Sequence, residues 1–274
     1  MTHRILIVTA VAAEADSVTT GLASVVPGAD SFAAEAPDTP DTRDVPAGPE
    51  RVPLPGGLVL RRHTDGDRAR VDVLVGGVGP AAVAAATGTA LAYAALTGTD
   101  RRERPYDLVV SAGIAGGFQP SAPPGSLVVS SAIVAADLGA ETPDGYLAVE
   151  ELGFGRSVHP VPEALTGRVA TALAAGDVPC AVAPVLTVST VTGSARRAAE
   201  LTERHPGAAA EAMEGFGVAE AAAAYGVPVV ELRAVSNAVG PRDRAAWRIG
   251  DALDTLRHTV RLLGRTVFVE APCT

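Results

Sequence analysis

The stretch AEAMEGFGVAEAAAAYG (210–226), followed by VPVVELRAVSNAVGPRDRAAWRIGDAL (227–253), decides the fold class. Glu214–Tyr225 is alanine-rich and of helix length, Val229–Ala234 is short and β-branched, and Ala246–Leu263 is again of helix length. A strand set between two helices is the repeating unit of an α/β fold. Outward from it the alternation continues. Strands are expected at Arg4–Thr9, Leu58–Arg62, Val71–Val75, Leu108–Ala112, Ser126–Ala135 and Val185–Val191, and helices at Ala13–Leu22, Pro80–Leu96, Pro162–Ala175 and Ser194–Arg204. Leu108–Ala112 and Val229–Ala234 read as apolar runs without strict alternation, the pattern of strands covered on both faces.

Composition narrows the chemistry. The 274 residues suffice for one large α/β domain. All 22 basic residues are arginine, so a Walker P-loop, a Schiff-base enzyme and a Ser-Lys hydrolase are excluded. A net charge of −9 argues against nucleic acid as a partner. Cys180 and Cys273 form no disulfide framework and suit a reducing cytoplasm. His3, His63, His159, His205 and His258 lack ligand spacing, so neither a metal nor another cofactor is expected. The N-terminal apolar run is too short for a signal peptide, and Ala81–Leu96 is interrupted by threonines, a glycine and a tyrosine. A cytoplasmic protein with no membrane partner is expected. The Pro/Asp-rich segment from Val26 to Gly57 reads as a loop inserted into a single domain, because its prolines oppose both helix and sheet.

Four stretches can carry chemistry. Glu14 follows the first strand at the start of a helix, where it suits either a ligand crevice or the positive helix end. VGGVGPAA (75–82) meets the loose G-x-G-x-x-A dinucleotide pattern through Gly77, Gly79 and Ala82, although Asp100 lies in a polar turn instead of ending a strand. SAGIAGGFQP (111–120) packs Gly113, Gly116 and Gly117 so densely that positive φ or a sharp bend is expected, with a bulged strand as the alternative. In the opening stretch, Met213 adjoins Glu214, whose carboxylate could accept from two sugar hydroxyls, although a lone methionine also serves as core filler. Asn237, the chain's one asparagine, follows Ser236 at a strand end, where turn chemistry would also explain it. Several polar strand ends converging imply one site.

In their order, the early glutamate, GVGP, SAGIAGG, MEG and RAVSN resemble the nucleoside phosphorylase/nucleosidase superfamily from about Ile5 to Leu262. Within it the chain is most similar to the 5'-methylthioadenosine/S-adenosylhomocysteine nucleosidases and, through RAVSNAVGPRDRAAW, closer still to the futalosine hydrolases. The resemblance implies a three-layer αβα sandwich with a mixed central sheet, a homo-oligomer (dimer or tetramer), and hydrolysis of futalosine to hypoxanthine in menaquinone biosynthesis. It implies further that Glu14 activates water, that Glu214 holds the ribose hydroxyls, and that Met213 packs on the sugar. Gly79, Ala112, Gly113, Thr192, Gly193 and Ser236 are expected to line the nucleoside site, with Ser189–Gly193 as the base-facing loop.

Two positions depart from the adenine-type enzymes. Asn237 stands where those carry aspartate, and its amide can donate to purine N7 and to a 6-oxo oxygen, a pattern suited to hypoxanthine. Ala212 stands where they carry glutamate. Three rival functions remain at this stage. Phosphorolysis would need an arginine or an anion nest beside the sugar, and Thr9–Glu14 offers none. A NAD oxidoreductase rests on residues 75–82 alone, and a non-catalytic nucleoside-binding protein would tolerate loss of Glu14.

Overall fold

Ile5–Val8 has no polar position to turn toward water, and it occupies the one kind of place where none is needed. In a computed structural model describing residues 2–23, 48–98 and 104–269, strand β1 (His3–Thr9) lies between β4 (Ala69–Val75) and β5 (Leu108–Gly117), parallel to both. β12 (Val229–Ala238) pairs with the far side of β5, also parallel. Beyond β12 come β6 (Leu127–Ala135), β10 (Cys180–Thr187) and β11 (Ala210–Ala212). Beyond β4 come β3 (Val59–Asp65) and β2 (Glu50–Pro53). β12 meets β6 antiparallel, as β3 meets β4, so the sheet is mixed.

Helices cover both faces. α1 (Ala12–Ala23), α3 (Glu163–Ala175) and α6 (Ile249–Gly264) pack together on one side, and α2 (Pro80–Thr97) and α5 (Gly215–Ala224) on the other. This is the expected three-layer αβα arrangement. α2 is long and apolar enough to span a membrane, yet its Val83, Ala86, Ala90, Leu91 and Ala94 face packs into the core. α4 (Ala195–Arg204) starts where Ser194 Oγ accepts the Arg197 N–H, a side-chain cap.

The sheet also does something that periodicity does not reveal. β11 is parallel to β10 and, on its other edge, antiparallel to β5, so β5, β12, β6, β10 and β11 close into a small barrel. Its interior holds small side chains, among them Ala115, Val128, Val185, Ala210 and Val235. Three residues were too few to be read as the strand β11. The short β7 (Gly139–Thr142), β8 (Gly145–Ala148) and β9 (Val158–Pro160) were missed for the same reason.

Three expectations need correction. The segment read as a loop to Gly57 forms edge strand β2 at Glu50–Pro53, with Pro53 at its end, where a missing N–H costs no ladder bond. The part of that segment before residue 48 lies outside the described residues, as does Asp100. Val229–Ala234 is buried as expected but is not wholly apolar, since Glu231 and Arg233 are buried with it. Finally, Gly113, Gly116 and Gly117 do not take positive φ. They sit inside β5, opposite a register shift between Val235 and Asn237, and what they supply is the absence of a Cβ.

Candidate active site

Because β12, β5, β1 and β4 are adjacent and mutually parallel, their carboxyl ends emerge along one edge of the sheet. Each is followed, or ended, by one of the four stretches singled out above. Residues as far apart in sequence as Glu14 and Asn237 are therefore delivered to the same rim, the usual ligand position in open α/β sheets.

Glu14 falls in the first turn of α1 and is 3% exposed. Its Oε2 accepts the backbone N–H groups of Ala10 at 2.9 Å and Val11 at 3.3 Å, tying down the helix start as a capping glutamate does. Its Oε1 accepts the Ile114 N–H from β5 at 2.9 Å. Of the two roles that the sequence left as alternatives, these bonds show the helix-start one, and they hold the carboxylate at the rim. With two acceptor positions on each oxygen, Oε1 keeps one unused. A Cβ at Gly113 would lie 2.5 Å from Glu14 Oε1 and 2.6 Å from Arg233 Nη1. Gly113→Ala is therefore expected to lower kcat about 100-fold by displacing groups that must hold position, against a destabilisation of only about 1–3 kcal/mol. Paired turnover and thermal-melt measurements check this, and unchanged turnover would remove Gly113 from the site.

Glu214, 6% exposed, immediately precedes α5, and its side chain makes no cap bond to that helix. Its Oε1 accepts from Gly79 N–H at 3.3 Å, and its Oε2 from Met213 N–H at 3.2 Å. Arg233 Nη2 lies 3.1 Å from Oε2. Half-buried Met213 adjoins this cluster. Gly77 and Gly79 have φ of 92° and 90° and open α2 as a tight turn. One N–H that such a turn could offer a phosphate, that of Gly79, goes to the protein's own carboxylate.

Arg233 is the buried member of this cluster that the sequence reading passed over. It is 1% exposed and bonds Glu231 Oε1 through Nε at 2.7 Å, Ser111 Oγ through Nη2 at 3.3 Å and the Ile114 carbonyl through Nη1 at 3.4 Å. Burial alone would lower its pKa, but the charges of Glu231, Glu214 and Glu14 raise it, so it stays a cation. Burial pushes the Glu231 carboxyl up, against the pull of Arg233. A charged pair two apart on a strand shares a face, and that spacing was the available signal.

At the carboxyl end of β12 lies a recess of about 90 Å³, lined among others by Gly116, Thr192, Glu211, Asn237, Arg242 and Trp247. Asn237 Oδ1 accepts from Ser236 Oγ at 2.8 Å, and Asn237 Nδ2 donates to the Ala238 carbonyl at 2.9 Å. One amide hydrogen remains for a ligand, where two had been expected. Ser236 Oγ also lies 3.2 Å from the Ala115 carbonyl, so Ser236 is buried and positions Asn237. Thr192 is on the loop after β10, as expected, but both its N–H and its hydroxyl go to Glu211. Gly193 lies beside the Arg242 side chain. The Ala112 methyl packs in the main core cluster, on the opposite face of β5 from Gly113.

The chain matches the family described as the phosphorylase superfamily over residues 25–267. It is similar to futalosine hydrolase of Streptomyces coelicolor, 60% identical over 80% of this chain and 86% of the relative. It is also similar to futalosine hydrolase of Acidothermus cellulolyticus, 44% identical over 96% of this chain and 91% of the relative. Among solved structures, futalosine hydrolase of Helicobacter pylori matches with a TM-score of 0.72 at 18% identity, covering 96% of this chain and 97% of that one. A Helicobacter pylori MTAN mutant with 5'-methylthioadenosine in its active site matches at 0.71 and 19% identity, covering 97% and 99%. At such identities the structural likeness shows the fold.

Proposed function

The chain belongs to the futalosine hydrolases of the phosphorylase superfamily, and from that membership we propose that it hydrolyses the N-glycosidic bond of futalosine. Water is the second substrate, and hypoxanthine and dehypoxanthine futalosine are the products, in a step of menaquinone biosynthesis. The observation that carries the reading at residue level is the free acceptor position on buried Glu14, beside the Glu214–Arg233 cluster.

In this mechanism a water donates to Glu14 Oε1 and faces C1'. The C1'–N9 bond lengthens, its electron pair passes to the purine, and the ribosyl group approaches an oxocarbenium ion. Glu14 takes the water's proton as the new C–O bond forms. Glu214 accepts from the ribose hydroxyls, and its negative charge favours the cationic sugar. Asn237 Nδ2 donates to the departing base. An amide is too weak an acid to protonate it, so that proton comes from water. Arg233 holds Glu214 and Glu231 in place. A single domain interrupted near residues 26–57, assembled as a homo-oligomer, is part of the same reading.

Chromatographic detection of free base from futalosine, inosine, adenosine and 5'-methylthioadenosine, each with and without phosphate, tests the proposal. Hypoxanthine from futalosine without phosphate is expected. Turnover requiring phosphate would make the protein a phosphorylase, and no turnover at all would leave a nucleoside-binding protein. Asn237→Asp is expected to lower turnover of the 6-oxopurine substrate by about 10–100-fold, because a carboxylate loses the donor and repels the 6-oxo oxygen. Competition between futalosine and its 6-amino counterpart reads that change, and an unaltered preference would sink the role given to Asn237.

A further inference from the structure

Glu211 has no part in the mechanism above, yet it is a carboxylate 6% exposed in a strand whose neighbours Ala210 and Ala212 are core residues. Removing such a group from water costs free energy unless partners repay it. Its position is defined by register. On one side of β5, Glu211 of β11 pairs with Gly116, and on the other side Asn237 of β12 pairs with the same glycine. Residues directly opposite one another in a sheet share a face, and two strand spacings set their Cα atoms roughly 10 Å apart. Gly116 between them has no side chain, and a Cβ there would approach Asn237 Nδ2 to 3.4 Å. All three line the same recess. The result is a recess with a donor amide on one side of Gly116 and a carboxylate on the other.

Thr192 holds that carboxylate from behind. Its N–H donates to Oε1 at 2.7 Å and its hydroxyl to Oε2 at 2.5 Å. One acceptor position on each oxygen is left over. What the carboxylate lacks is a donor from inside the recess.

We infer that Glu211 is a specificity-determining residue that accepts the N1–H of a 6-oxopurine whose N7/O6 edge faces Asn237; this deepens the proposed function and rests on it. A 6-oxopurine in its lactam form carries a hydrogen on N1, and a 6-aminopurine carries a lone pair there. Glu211 meets the first with a charge-assisted hydrogen bond and the second with two acceptors face to face. Asn237 and Glu211 thus read adjacent edges of one base, and Thr192 is the positioning residue for Glu211.

The test measures kcat/KM for futalosine and its 6-amino counterpart in wild type, Glu211→Gln and Thr192→Val. A glutamine amide can turn its oxygen to N1–H or its nitrogen to a bare N1. Glu211→Gln is therefore expected to lower the 6-oxo to 6-amino preference roughly 100-fold, and Thr192→Val roughly 10-fold in the same direction. A merely structural glutamate would lower both substrates together and leave the ratio unchanged, which would overturn the inference. Wild-type protein supplies an arm independent of folding: 1-methylhypoxanthine is expected to bind roughly 100-fold more weakly than hypoxanthine, and equal binding would overturn the assignment. Wild type releasing no hypoxanthine from futalosine would overturn the proposed function itself, an outcome distinct from turnover with an unaltered ratio.

Discussion

Glu14→Gln is expected to reduce hypoxanthine release from futalosine by about 10²–10⁴-fold, the range for loss of a positioned base, with nucleoside binding held within about tenfold. The amide is nearly isosteric, so the cavity is unchanged, but it cannot take a proton from water. The hydrogen-bond pattern also predicts a stability cost. Glu14 accepts three backbone N–H groups, two on Oε2 and one on Oε1. Glutamine keeps one acceptor oxygen, which satisfies Ala10 and Val11 best, and its NH2 then faces the Ile114 N–H. That clash of donors costs about 1–3 kcal/mol. Turnover, calorimetric binding of nucleoside and a thermal melt on the same preparation separate the effects. Retention of activity within a few-fold would remove Glu14 from the role of base. Loss of binding together with activity would make it a binding residue instead.

Arg233→Met is expected to lower stability by about 3–5 kcal/mol, because it leaves buried carboxylates without their cation. Glu231 is fully buried, its Oε2 already lacks a partner, and Arg233 satisfies its other oxygen at 2.7 Å. Glu214 loses its guanidinium neighbour at 3.1 Å in the same substitution. For a chain of this size that corresponds to a fall in Tm of roughly 10 °C. Activity should fall as well, since Glu214 would no longer be aimed at the sugar. Arg233→Lys keeps the charge but lacks the planar fork that reaches Glu231, Glu214 and Ser111 together, so an intermediate loss is expected. A wild-type Tm for Arg233→Met would show that these carboxylates are neutral or solvated in the fold. The double variant with Glu231→Leu would then distinguish a pair that stabilises from one that only compensates for its own burial.

The layer order was legible from the residues because burial and periodicity are local properties. Ile5–Val8, Leu108–Ala112 and the alanine-rich helix before Val229 each announce their environment within a few positions. The rim was legible too, since a strand's carboxyl end is a sequence position: Glu14, Gly79 and Glu214 follow strands or open helices, and Gly113 and Asn237 lie in the carboxyl halves of β5 and β12.

What stayed out of reach depends on pairing between distant strands. The bond from Ile114 to Glu14 spans 100 residues, and the one from Gly79 to Glu214 spans 135. Arg233 looked like an ordinary strand residue until Glu214, Ser111 and Ile114 were brought around it. Glu211 acquires its setting only where β11 closes the barrel and puts it opposite Gly116. Hydrophobic pattern therefore told which segments are buried and that helices cover the sheet. Which charged side chains share the buried space, and what each can offer a ligand, followed from strand register, for which a chain read in one dimension carries no signal.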